Sequence, residues 1–317
     1  MESVGPFTLS FCGISAYDGA RGGKGQDGDR IGDVSHWRPR HPEQQQDDAA
    51  RLRRSLGRDL HSRDTHRVMA GLIGLLALCD HASERPIKSQ QALAAMQSPI
   101  GTAQRRPGEI LRSFGARPLN CSEVPGLYAI LSNISRRAGL KRAPELFLLP
   151  CHGMNAYALG GPEDACISVT RELLRCLSRE EIAGIFAHEV AHILHRDMGA
   201  MNWASAIQRE IADLAQRGIR DLMARSQDFF RLGSQALLLA AAPVMAELLI
   251  AALSRARELA ADARAMDLIE HPKALVAALC KLEYFHTGLT PLHAHLRHDS
   301  HALRSHPGTW ERIAHLS

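Results

Sequence analysis

One stretch of this 317-residue chain leaves the backbone little choice. Ser178-Arg-Glu-Glu181 is a capping box, in which the serine hydroxyl and the glutamate carboxylate satisfy each other's exposed backbone N–H groups and open a helix. The helix continues through IAGIFAHEVAHILHRD, with Ile182, Ile185 and Phe186 available to bury one face. It carries His188-Glu189-Val190-Ala191-His192. Residues four apart share a helix face, so both imidazoles can reach a single metal ion. With 17 histidines, chance alone would produce this pattern in roughly one such chain in twenty, so its weight comes from the mid-helix setting. Glu189 falls beside such an ion, where a carboxylate can take a proton from water whose pKa zinc lowers to about 7.

A catalytic zinc site needs a third protein ligand and an open position. His195 shares roughly the same face but lies two turns from His188, about 10 Å along the axis, too far for three ligands on one straight helix. It reads as a helix-end histidine, favourable beside the last-turn carbonyls. The metzincin spacing would place Gly at 195 and His at 198; the chain has His195 and Met198, which excludes that class. The better third ligand is Glu258, in Ser254-Arg-Ala-Arg-Glu258-Leu-Ala-Ala-Asp262. Glu258 and Asp262 are one turn apart, so one can bind metal while the other hydrogen-bonds a ligand imidazole from behind. With Arg255, Arg257 and Arg264 nearby, a solvated charged face explains the pattern about as well. A carboxylate close behind a very apolar helix favours the ligand role.

The rest of the chain supplies the frame. Residues 1–65 are rich in Gly, Arg, Asp, Gln and Ser and read as a disordered N-terminal extension. Residues 66–114 hold a short apolar run, VMAGLIGLLALC, and a polar linker, and a folded domain is expected over 115–317. There, Leu127, Ile130, Leu131 and Ile134 have the period of an amphipathic helix, with Ser122 as a start signal and Gly139 as a stop. ELFLLP and CISVT flank a Gly-Gly-Pro region and predict a small antiparallel sheet. The expected fold class is α+β, mostly α-helical. Ala236 to Leu253 is a second apolar run, about 27 Å long as a helix, interrupted by Pro243 and Glu247, and fits either a core helix or a membrane-embedded one. No secretory leader is expected. Mixed charges with a net +4 give nucleic acid no footing as a partner. Seven cysteines without a CxxC pair argue against a disulfide scaffold and for a reducing compartment.

HEVAH followed by His-Arg-Asp197, then SRARELAAD, resembles the gluzincin zinc peptidases that include HtpX and the CAAX prenyl endopeptidase. Asn155-Ala-Tyr-Ala-Leu-Gly160 is similar to the family's segment at its edge strand, and Ser305-His306-Pro307 with Arg312-Ile313 matches its C-terminal motif. The resemblance covers residues 115 to 317. It implies a gluzincin-type fold, one Zn2+ held by His188, His192 and Glu258, Glu189 as general base, and Asp262 behind a ligand histidine. It also implies a substrate-binding edge at Asn155, Ala156 and Tyr157, with His306 and Arg312 near the site. The implied substrates are misfolded or membrane-associated polypeptides. The singly placed cysteines favour a catalytic domain facing the cytosol, attached to the cytoplasmic membrane through residues 236–253, with a soluble cytoplasmic enzyme as the alternative. Family members carry paired transmembrane helices before the motif and again between it and the third ligand. Here the first pair is reduced to VMAGLIGLLALC and only residues 236–253 survive of the second, while Gly308 stands where a second proline is usual. Those departures motivate a rival reading, a catalytically weak pseudo-peptidase serving as a binding or chaperone-like module. A zinc hydrolase of non-peptide substrates is a third. His286, His293, His295, His298, His301 and His306 crowd one polar stretch and read as solvated loop residues, with a regulatory ligand to the zinc site as the sharper alternative. Nothing in the sequence specifies an oligomeric state.

Overall fold

A proline and a glycine bound the helix predicted after residue 122. The computed structural model describes residues 65–82, 106–224, 229–288 and 308–316. In it α3 (Pro125–Ala138) starts with Pro125 at its first turn and stops at Gly139, whose φ of 76° supplies the left-handed cap. Ser122 does not cap it; Val124 is the capping residue, and no side chain bonds the helix end. Before it come a helix over 65–82, named α1, and α2 (Pro107–Ser113).

A four-stranded sheet follows, ordered β1-β2-β4-β3 from β1 (Arg117–Pro118), β2 (Glu145–Leu149), β3 (Ala156–Leu159) and β4 (Cys166–Thr170). It is mixed rather than antiparallel. ELFLL and CISVT pair in parallel, Glu145 opposite Cys166 and Leu149 opposite Thr170, because the connection between them contains β3. That strand reverses the chain once, so β4 returns in the direction of β2 and lies between the two, antiparallel to β3. All five residues of β4 are buried, as a central strand covered on both faces requires. Among the described residues β3 is the end strand of the sheet.

Thr170 caps α4 (Arg171–Cys176), its side chain accepting the Leu173 N–H. Ser178 and Glu181 form the expected capping box on α5 (Arg179–His195). α5 runs through the middle of the main core. Ile182, Ile185, Phe186, Val190 and Ile193 meet Leu131 and Ile134 of α3, the sheet residues Leu146 and Ile167, and Leu275 and Leu279 of α8 (Pro272–Thr287). At Gly184 a Cβ would stand 2.9 Å from the Leu275 Cα, so α5 and α8 touch backbone to backbone there.

A second apolar cluster joins α1, through Leu72, Leu76 and Cys79, to α6 (Asp197–Ala224) and to the first half of α7 (Phe229–Leu268). α7 has 40 residues, about 60 Å, and continues through Pro243 without a break. Its first half belongs to the second cluster, and Ala265 and Leu268 to the main core. The short α9 (Thr309–Leu316) docks through Ile313 and Leu316, with the Thr309 hydroxyl donating to buried Glu283 at 3.0 Å.

Candidate metal centre

The capping box sets where α5 begins, and the apolar residues around its second turn set which face is buried. His188 and His192 consequently point together toward α7. Their Nε2 atoms lie 3.0 Å apart. Glu258 arrives from α7 with Oε2 at 3.4 Å from the His188 Nε2 and Oε1 at 3.6 Å from the His192 Nε2. One ligand atom from each of the three residues lies within 4.8 Å of the others, a grouping that could hold a metal ion. Around an ion bound tetrahedrally at about 2.0–2.2 Å, neighbouring ligand atoms lie roughly 3.3–3.6 Å apart. The donor set, two imidazoles and a carboxylate, fits zinc; the two carboxylate–imidazole separations match that range, and the imidazole–imidazole separation is about 0.3 Å shorter.

Each imidazole is held from behind by a carboxylate, and each carboxylate by an arginine. The Nδ1–H of His188 donates to Asp262 at 2.8 Å. Asp262, fully buried, accepts from Arg312 Nε and Nη2 at 2.5 and 2.6 Å, and the third guanidinium nitrogen lies 3.2 Å from Glu258. On the other side, the Nδ1–H of His192 donates to Asp197 at 2.6 Å, and Asp197 accepts from Arg257 Nε, also at 2.6 Å. Donation through Nδ1 leaves the Nε2 lone pairs of both rings facing the centre, the tautomer a metal requires. Burial alone would raise the Asp197 pKa; the His192 hydrogen bond and the Arg257 charge outweigh it and lower it to about 2. Burial and Arg312 press His188 toward neutrality, but Asp262 and Glu258 prevail and raise its affinity for a proton. The pocket therefore favours positive charge, supplied by a proton or by a cation that displaces it.

Glu189 is buried in the same helix, next to His188. β3 packs against α5, the helix that carries Glu189, and burial, with the nearby Cys151 and Glu189, raises the pKa of the Tyr157 phenol. Ala156 turns its side chain into the main core and can meet a ligand only through its backbone. Asn155 is buried, and its backbone N–H donates to the Thr170 hydroxyl at 3.0 Å. His306 and most of the C-terminal histidine cluster lie outside the described residues. His286 lies within them and bonds the Met154 carbonyl at 3.0 Å. His195 is the last residue of α5 and lies outside the three-residue group. Sequence reasoning assigned no role to Asp197 or Arg257; the Asp197 of the HRD triplet was visible only as a motif position.

The description "Peptidase family M48" fits residues 123–317 of this chain. The chain belongs to that family. By family it is a metalloprotease. Among similar curated proteins is the Protease HtpX homolog of Aquifex aeolicus (strain VF5), 32% identical over 229 residues, covering 65% of this chain and 76% of that protein. Another is the Protease HtpX homolog of Campylobacter curvus (strain 525.92), 33% identical over 226 residues, covering 65% and 79%. Among solved structures, this M48 chain is similar to S. mikatae Ste24p with a TM-score of 0.45 and 17% identity. That match covers 80% of this chain and 63% of the other, too distant a likeness to carry an argument.

Proposed function

We propose that this chain is a zinc-dependent endopeptidase that hydrolyses peptide bonds in misfolded or membrane-associated proteins, with one Zn2+ held by His188, His192 and Glu258. The observation that carries the reading is the approach of Glu258 to within 3.4 and 3.6 Å of two imidazole nitrogens that already face each other on α5. When bound there, zinc supplies a Lewis acid that polarises a carbonyl and acidifies water.

The chain's own groups supply the rest. Glu189 takes the proton of the attacking water and later delivers one to the leaving amine. β3, the end strand of the sheet among the described residues, is the edge to which an extended substrate adds as a further strand running past Glu189. Asn155, Ala156 and Tyr157 are the residues of that edge, and the Tyr157 phenol, near Glu189, lies within reach of a bound peptide. Asp262 keeps His188 in its Nδ1–H tautomer, and Arg312 keeps Asp262 and Glu258 in place. In this reading the site sits on a cytosol-facing domain at the cytoplasmic membrane; what supports the membrane part is that α7 is the one helix among the described residues long and apolar enough to cross a bilayer.

The test joins zinc content to casein cleavage. Wild type should hold one zinc per chain and cleave casein. Glu189→Gln should keep the metal and lose cleavage by at least about a hundredfold, as removal of a general base does. Glu258→Ala should lose both. Full zinc retention by Glu258→Ala would show the wrong third ligand, and a zinc-loaded wild type that cleaves nothing would favour a binding module.

A further inference from the structure

α5 ends with a break that has a direct consequence for the metal centre. Arg196 adopts φ 55°, and among the described residues it alone combines a side chain with the left-handed region. Residues other than glycine enter that region at a cost of roughly 1–2 kcal/mol. The turn swings Asp197, the first residue of α6, back beneath the last turn of α5. There its two oxygens face opposite ways, Oδ2 accepting from His192 Nδ1 and Oδ1 from Arg257 Nε, both at 2.6 Å. Asp197 is 1% exposed and Arg257 7%, so neither can exchange its partner for bulk water.

We propose that Asp197 and Arg257 are positioning residues of the metal centre, acting on metal affinity through His192; this rests on the reading of that centre as a zinc site. Two observations separate this role from a plain ion pair tying α6 to α7. The bond to His192 is made at the nitrogen opposite the one that faces Glu258, so it fixes the tautomer and the ring plane together. The arrangement also repeats, on different elements, the Asp262–Arg312 pair behind His188. Two carboxylate–arginine braces on two histidines leave neither imidazole free to rotate out of the site. Arg257 and Glu258 are consecutive on α7, so one helix segment delivers the third ligand and braces the second.

The experiment measures zinc affinity of the metal-free full-length chain by competition with a chromophoric chelator, with circular dichroism confirming the fold of each variant. Asp197→Asn should weaken zinc binding about 10- to 100-fold, and Arg257→Gln should weaken it less. Removing one partner alone leaves a buried charge without its mate and can unfold the chain. The double variant Asp197→Asn/Arg257→Gln removes both charges, and should restore thermal stability while zinc affinity stays low. Arg257→Lys should recover part of the affinity lost in Arg257→Gln. Lys281→Met, which breaks the Lys281–Glu181 pair on the far part of α5, should lower the melting temperature and leave zinc affinity at the wild-type value. A folded Asp197→Asn or double variant that binds zinc as tightly as wild type overturns the proposal. A wild type that binds no zinc overturns the metal-centre reading, and the proposal with it, so the two failures are told apart by the wild-type titration.

Discussion

Cys166 faces the interior from the central strand of the sheet, 4% exposed. Burial, and then the nearby Glu145 and Asp164, push its thiol up from 9.0 to about 11, against a smaller opposing effect of Arg112. The folded chain thus favours the neutral thiol. Unfolding restores the ordinary value, so this contribution to stability is fully present below pH 9.0 and is lost as the pH rises through about 11. Alkylation at about pH 8, mapped by mass spectrometry, should label the exposed Cys121, Cys151 and Cys176 and spare Cys166 and buried Cys79 until denaturant is added. Rapid native labelling of Cys166 would mean that β4 is not the covered central strand. The residues of the centre differ in how far the sequence exposes them. That His188 and His192 share a face follows from a spacing of four, and that Asp262 stands one turn from Glu258 follows in the same way. Arg312 is visible in sequence only as part of a C-terminal motif. Its contacts depend on α9 folding back over a long connection, which no local pattern encodes. Asp197 is the harder case. Its place behind His192 depends on a left-handed arginine, and left-handed helix ends are ordinarily announced by glycine or asparagine.

Between α5 and α8 the spacing is set by the absence of a side chain. A methyl group at Gly184 would meet the Leu275 Cα at 2.9 Å and its N at 3.0 Å, both backbone atoms that cannot rotate aside. Gly184→Ala gains helix propensity of about 1 kcal/mol yet forces the two helices apart, and overpacking of this kind costs typically 1–3 kcal/mol. The expected net result is a chain destabilised by up to about 2 kcal/mol in urea unfolding, with lower casein cleavage because His188 is four residues further along the same helix. An unchanged or raised midpoint would show that α5 and α8 do not meet at that point. Elements with local signals were legible: the capping box of α5, the glycine stop of α3, and the continuation of the apolar run into SRARELAAD as a single helix. Strand direction was not. ELFLL and CISVT carry the composition of buried strands, but whether they run parallel depends on what the intervening residues do, and β3 is short, half-buried and weakly patterned. Two of its four residues are alanine, which is depleted in strands, and this leaves AYAL with little strand signal of its own.

At the scale of the molecule, α7 links two environments. Its C-terminal half carries Arg257, Glu258 and Asp262 and packs into the main core, while its N-terminal half joins α1 and α6 in the second cluster. A core helix of a soluble protein as apolar as this one would be mostly covered. In its most apolar window only 28% is buried, and Leu237, Val244 and Leu248, spaced seven and four residues apart along one face, are 71%, 52% and 38% exposed. Leu78 on α1 adds another apolar side chain, 52% exposed. Burying such a face in water-free surroundings is favoured by about 25 cal/mol per Å2, and a lipid bilayer supplies them. Composition alone left the choice between core helix and membrane helix open; we propose that the uncovered stripe meets a bilayer, and vesicle binding tests it. The full-length chain should float with phosphatidylglycerol–phosphatidylethanolamine vesicles on a density gradient. The triple variant Leu237→Lys/Val244→Lys/Leu248→Lys should stay in the soluble fraction, because each charge placed in hydrocarbon costs about 2.5–3.5 kcal/mol. None of the three residues touches the metal centre, so the variant should still bind zinc and cleave soluble casein. A wild type that remains in the soluble fraction would mean that something other than lipid covers this stripe, and a second copy of the chain would then be sought by light scattering. A triple variant that still floats would move the membrane contact to another part of the chain.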